Sequence, residues 1–437
     1  MKKFFLLAAL VMISTFSYSQ NVVSLFGKAT AFFNLLEEGR YDTAHKYFSE
    51  TEQAKVTPAD LEKLWKNIKS SLGKPEYIDP VQSKKQGETF AVTVEGKFER
   101  DVQNFILVFD KSEKLIGLYM PPNAIVYTKP MYADTTLYTE TQTYLKSGLH
   151  QLAAIITTPK NVANFPMVVL VHGSGPGDMD QTIGPNKPFK DIALGLASKG
   201  IGSIRYVKRT LVYPGEFNKS FTVKEEVTDD AVSAIALAKT VKGADIKSIY
   251  VFGHSLGGML APRIATHSPE IKGIILAAAP ARKLTDIIID QNRYAVEASK
   301  DTTAGLKVEL ANAIKEIEQS RIAKLGVGMK PDSVIVGLPV SYWIDLNTYD
   351  QVATAKILTK RIFVLQGAFD FQVSDADYNI WNTALGKKPN VKMKWYPFLN
   401  HLFTIQAGKG TSKQYQAAAS VAEEVIIDLA AWIKKPL

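Results

Sequence analysis

The run Gly253-His254-Ser255-Leu256-Gly257 sets a serine between two glycines, and its flanks make it a candidate for acyl transfer. The apolar segment Ile246–Phe252 precedes it, and a helix-patterned segment, Leu256–His267, follows. A chain that turns so sharply from strand to helix has no room for a Cβ on either side of the serine. Such a turn holds the serine in a strained conformation with its hydroxyl exposed. The hydroxyl is a weak nucleophile until a base takes its proton. On such turns the acid and then the histidine follow the serine along the chain. Of His45, His150, His172, His254, His267 and His401, only His401 lies beyond a candidate acid. It follows the strand-like run Val391–Tyr396, in the turn Asn400-His401-Leu402-Phe403. Asp370 is the expected acid, just past the apolar run Arg361–Gln366, where a triad carboxylate would orient the imidazole. Asp375 and Asp377 are its rivals, and they read as the start of the next helix, capping its free N–H groups.

Two N–H donors must also face the developing oxyanion. One is the backbone of Leu256. The other is expected from the loop His172-Gly173-Ser174-Gly175-Pro176-Gly177, with Ser174 as the donor and Gly175 as the alternative. These glycines do not make a dinucleotide fingerprint: the third glycine of G-x-G-x-x-G would fall at Asp178, and no acidic ribose partner is evident. No histidine–carboxylate spacing suggests a metal site. Neither a cofactor nor a metal is expected.

The elements that must position these residues form a parallel sheet. Short apolar runs at Met167–His172, Gly202–Tyr206, Ile246–Phe252, Ile271–Ala277 and Arg361–Gln366 alternate with helices, the pattern of strands buried on both faces. A hairpin, Leu137–Leu145 and His150–Thr157 with its turn at Lys146-Ser147-Gly148, leads into them. Chemistry in such sheets sits at the carboxyl ends of strands. Residues 278–360 hold no strand of this type and read as a helical cap over the site, with Leu310, Ile314 and Ile317 on one helix. A C-terminal helix carries Val421, Val425, Leu429 and Trp432 on one face. Ahead of the sheet, residues 22–120 read as a small α+β unit. Two helices (Leu25 to Leu36, then Leu61 to Ile68) come first. Strands follow around Phe90–Val94, Asn104–Phe109 and Lys114–Tyr119, with residues 121–135 as the linker and 136–437 as the catalytic domain.

The stretches His172–Asp180, Thr182–Phe189, Arg205–Arg209, Gly253–Gly258, Leu365–Val373 and Leu399–Phe403 resemble, in order, bacterial α/β-hydrolase carboxylesterases. The relatives are the prolyl-oligopeptidase-like and dienelactone-hydrolase-like enzymes. The resemblance implies an α/β-hydrolase fold and ester hydrolysis through an acyl-enzyme, with Ser255, Asp370 and His401 as the triad. It departs at Val207, where similar enzymes often carry an aspartate. Residues 22–120 look like the small cone-shaped domain found ahead of such hydrolases, with a role at the substrate entrance or in dimer contacts. A peptidase or an acyltransferase would use the same triad. A binding protein on a retired scaffold would not need every catalytic position filled.

Composition narrows the setting. Of 437 residues, 46% are apolar and 22% charged, the mix of a globular protein. Lys2 and Lys3, the apolar run Phe4–Phe16 and Ser17-Tyr18-Ser19 have the layout of a cleavable signal peptide over residues 1–19. The run is shorter than the ~20 apolar residues of a spanning helix. The expectation is an exported protein, periplasmic or extracellular, without stable membrane insertion. There is no cysteine, so disulfides and thiolate chemistry are excluded. The net charge of +9, or +7 without Lys2 and Lys3, comes from scattered lysines with no basic run among aromatics, so no nucleic acid is expected as a partner. The expected partner is a small-molecule ester; a homodimer is left open.

Overall fold

The computed structural model describes residues 24–86, 88–121, 127–300 and 303–435. The expected signal peptide lies outside them. The chain divides into two compact units, residues 1–124 and 125–437.

The first unit begins with a helix over residues 24–37 (α1). Two short helices, α2 (Tyr41–His45) and α3 (Glu50–Gln53), lead to α4 (Pro58–Leu72). A capping box between Thr57 and Asp60, with Pro58 in the first turn, fixes where α4 starts. The sheet is antiparallel in the order β1 (Pro75–Gln86), β2 (Thr89–Phe98), β3 (Val102–Phe109), β4 (Leu115–Tyr119). Alternate residues of β2 and β3, among them Val92, Val94, Phe105 and Leu107, are buried under Phe32, Phe33 and Trp65 of the helices. Strand β1 was not expected. It is an edge strand carrying Pro75 and Pro80, and its pairing with β2 shifts register beside both. Prolines at an edge and a polar sequence hide the period of two that marks a strand.

Among the described residues, the second unit is built on a sheet of eight strands in the order β14 (Val391–Tyr396), β13 (Arg361–Gly367), β10 (Gly273–Ala277), β9 (Ala244–His254), β7 (Phe165–Val171), β8 (Gly202–Tyr206), β6 (His150–Pro159), β5 (Tyr138–Ser147). A hairpin, β5 (Tyr138–Ser147) and β6 (His150–Pro159), adds antiparallel to β8 at one edge. Its turn is Gly148-Leu149, one residue beyond the expected position, because Ser147 still pairs with His150 and Gly148 takes φ +60°. The rest is parallel: β7 (Phe165–Val171), α5 (Pro188–Ser198), β8 (Gly202–Tyr206), α6 (Arg209–Val212), α7 (Asp229–Ala238), β9 (Ala244–His254), α8 (Leu256–His267) and β10 (Gly273–Ala277). Between β10 and the next sheet strand lie α9 (Leu284–Ser299), α10 (Ala304–Glu318), a two-stranded hairpin of β11 (Val334–Ile335) and β12 (Leu338–Pro339), α11 (Val340–Thr348) and α12 (Gln351–Ile357). Then come β13 (Arg361–Gly367), α13 (Asp375–Leu385), β14 (Val391–Tyr396) and α14 (Glu423–Lys434).

Core side chains cover both faces of this sheet. Ile235, Leu260, Ile264 and Trp381 pack on one face, and Phe189, Ile192, Val425 and Leu429 on the other. That explains why its central strands read as continuous apolar runs. The order, the parallel core and the helices on both faces are those of an α/β-hydrolase. Residues 127–135, expected within the linker, instead pack into this unit. Ala133 is buried, Tyr127 donates a 2.7 Å hydrogen bond to Asp191, and Tyr132 donates one to the Val421 carbonyl at 2.8 Å.

Candidate active site

Ser255 stands between the end of β9 and the start of α8 with φ +54° and ψ −119°. An L-residue is strained there, and the surrounding packing enforces the strain. A Cβ on Gly253 would come within 2.2 Å of the Gly257 carbonyl oxygen, and one on Gly257 within 2.4 Å of the Val171 carbonyl oxygen. Both flanking glycines are therefore required by close backbone approach.

The candidate acid and base follow the last two strands of the sheet, β13 and β14. Asp370, just past β13, is buried, and its Oδ1 accepts the N–H groups of Gln372 (2.8 Å) and Val373 (2.9 Å). Its Oδ2 accepts from Gln366 Nε2 at 3.1 Å and from His401 Nδ1 at 2.7 Å. An ionised carboxylate only accepts, so Nδ1 carries the proton and Nε2 of His401 is left as the basic nitrogen. His401 and Ser255 line one recess of about 140 Å³. The His401 ring bonds through Nδ1 to Asp370, and its Nε2 makes no direct hydrogen bond to Ser255 Oγ, a contact that often tightens only with substrate in place.

The loop after β7 faces the same recess. The Gly173 N–H is taken by Gln181 Oε1 at 3.1 Å, and the Gly175 N–H by Glu226 Oε1 at 2.9 Å. Between them, the Ser174 N–H donates no hydrogen bond among the described residues, and neither does that of Leu256 in the first turn of α8. Ser174, Leu256 and Ser255 line one cavity of about 520 Å³. Its walls are mostly apolar, with Phe221, Leu284, Ile287 and Leu338 among them; the last three come from the insertion between β10 and β13. A larger cavity of about 1230 Å³ in this unit touches none of Ser255, Asp370 and His401.

His254, beside Ser255, joins His401 to the loop after β7. Its Nε2 donates to the His401 carbonyl at 2.8 Å, and its Nδ1 accepts from Gln181 Nε2 at 2.6 Å. Burial, helped by the nearby His401, pushes its pKa down to about 3, so it serves as a neutral strut. The rivals of Asp370 are placed elsewhere. Asp375 is at the exposed start of α13. Asp377 does not cap that helix as expected: it is buried, accepts the Ala281 and Arg282 N–H groups at 2.9 and 3.0 Å, and pairs with the Arg282 guanidinium at 2.8 Å. Lys208, Glu226 and Tyr342, which no sequence motif singles out as functional, meet beside the loop after β7. Lys208 lies just past β8, where the strand-end rule would have found it. Glu226 sits in a π-helical turn, Lys224–Thr228, that no local pattern announces. Among the described residues, no group of three or more His, Asp and Glu is placed to hold a metal ion, and no helix is long and apolar enough to cross a membrane.

Esterase EstD of Thermotoga maritima is 34% identical to this chain over 418 residues, which are 94% of this chain and 97% of the esterase. The chain belongs to the EstD family. At that coverage both units take part in the likeness. Residues 29–118 also match a family described as a protein of unknown function, DUF3887. Among solved structures, Est1E from Butyrivibrio proteoclasticus is similar at 16% identity and a TM-score of 0.43, over 67% of this chain and 98% of Est1E. The esterase domain of a Rhodothermus marinus protein is similar at 14% identity and a TM-score of 0.41, over 67% of this chain and 97% of that domain.

Proposed function

We propose that this chain is an exported serine esterase that cleaves carboxylic esters of small to medium acyl groups. Ser255 Oγ attacks the acyl carbon as its proton moves to His401 Nε2, and Asp370 keeps the imidazole oriented. The Leu256 and Ser174 N–H groups hold the oxyanion. When the tetrahedral intermediate collapses, His401 returns the proton to the leaving alkoxide and the alcohol departs. Water, deprotonated by the same imidazole, then releases the acid from Ser255. The observation that carries this reading is the pairing of a strained serine with a buried Asp370–His401 couple in one recess. The whole-length likeness to an esterase supports ester hydrolysis as the reaction class. The apolar cavity of about 520 Å³ next to Ser255 supports the acyl preference, being large enough for a medium chain.

The test is turnover of nitrophenyl acetate, butyrate and octanoate by the chain lacking residues 1–19, beside Ser255→Ala and an aminoacyl anilide. Turnover of the esters, lost by several orders of magnitude in the variant, with the anilide untouched, is the expected result. Anilide cleavage without ester turnover would make the protein a peptidase instead.

A further inference from the structure

Glu226 is 3% exposed and Lys208 is 2% exposed, and their charged groups meet at 2.6 Å beside the cavity that holds Ser255. Lys208 Nζ also donates to the Gly173 carbonyl at 2.8 Å. Glu226 Oε1 accepts the Gly175 N–H at 2.9 Å, and its Oε2 accepts the Tyr342 hydroxyl at 2.6 Å. The pair thus grips the residue before Ser174 by its carbonyl and the residue after it by its amide. Gly175 has φ +79°, so the chain reverses there, and the two grips set the direction of the Ser174 N–H between them. Tyr342 is buried on α11, within the insertion, and lines the same cavity.

Taking a carboxylate and an ammonium out of water is costly for each, and replacing such a pair by apolar residues is often neutral or stabilising. Stability is therefore a weak reason for this pair to exist. Its contacts give a better one. We infer that Glu226, held by Lys208 and by Tyr342 of the insertion, is a positioning residue that aims the Ser174 amide at the oxyanion. The inference rests on the esterase reading above and names what orders its second oxyanion donor. It also makes the insertion part of the catalytic geometry, because an α11 displaced from its place withdraws one of the three donors to Glu226.

The test compares wild type with Glu226→Gln, Lys208→Met and Tyr342→Phe, each first checked for folding by circular dichroism and melting. Three readouts follow: the rate of fluorophosphonate labelling of Ser255, kcat and KM on nitrophenyl butyrate, and inhibition by a trifluoromethyl ketone beside its methyl ketone parent. Only the fluorinated ketone forms a stable oxyanion. Removing an oxyanion donor outright costs about 10²–10³ in rate, so misaiming one in Glu226→Gln is expected to slow labelling and kcat by about 10- to 100-fold. KM and methyl ketone affinity stay near wild type, and trifluoromethyl ketone affinity falls in parallel with kcat. A merely structural residue would not separate the two ketones. A folded Glu226→Gln with labelling, kcat and both ketones near wild type overturns the inference while leaving the esterase reading intact. If Glu226→Gln does not fold, Tyr342→Phe decides by the same readouts, with a smaller loss expected. Wild type that neither labels nor turns over esters overturns the esterase reading and this inference with it.

Discussion

Two buried carboxylates serve the cavity around Ser255, and they are held in different ways. Asp370 takes three of its four hydrogen bonds from residues within four positions of itself: Gln366, Gln372 and Val373. Only the bond to His401 reaches across the fold. Glu226 has the opposite balance, since Lys208, Gly175 and Tyr342 are 18, 51 and 116 positions away. Asp370 is thus prepared by one turn of chain. Glu226 is held only when three separated segments are in place. Errors of packing far from the serine should therefore reach the oxyanion side of the site before they reach the base.

The sharpest way to break this contrast is Asp370→Asn. Its amide leaves the turn largely intact but no longer fixes the imidazole tautomer, and kcat on nitrophenyl butyrate is expected to fall about 10³- to 10⁴-fold. A loss no greater than that of Glu226→Gln would remove the distinction between orienting the base and aiming the loop. Below these two in effect on rate is Asp377→Ala. It strips a buried partner from Arg282 and leaves the triad contacts untouched, so it is expected to lower unfolding stability by about 2–4 kcal/mol. Fluorophosphonate should still label the folded fraction at close to the wild-type rate, and a lost label would place Asp377 in the site. The smallest effect on rate, with an effect on stability comparable to that of Asp377→Ala, concerns His172 and His254, both buried with pKa values near 3 against an ordinary 6.5. As pH drops below 6.5 the unfolded chain takes up protons that the folded chain refuses. Their contribution is therefore complete above that pH and is lost toward pH 3, at about 1.4 kcal/mol per pH unit for each histidine. Urea midpoints measured from pH 7.5 to 5 should fall accordingly; a flat profile would mean the two rings accept charge where they stand.

The same contrast explains which parts of the molecule were legible before folding. Ser255, Asp370 and His401 follow from chain order and from strand ends, both properties of neighbouring residues, and the structure brings Asp370 and His401 into contact. The central strands declared themselves because burial on both faces makes a strand apolar throughout. Strand β1 did not, because Pro75, Pro80, Lys84 and Lys85 make it an edge with no apolar period. Asp377 looked like a helix cap because its true partners, residues 281 and 282, arrive from another strand end. Residues 127–135 looked like a linker because what holds them, Asp191 of α5 and the Val421 carbonyl ahead of α14, is supplied by distant parts of the chain. Glu226 left no local signal at all, since each of its donors comes from elsewhere.

The central claim is that Ser255 is the nucleophile, and the most direct measurement is to trap the intermediate. The chain would be mixed with nitrophenyl butyrate, quenched in acid within the first turnovers, digested and weighed peptide by peptide. The account predicts a single butyryl increment on the peptide carrying Ser255, absent in Ser255→Ala. Steady turnover with the increment on another residue, or unchanged turnover by the variant, would contradict it.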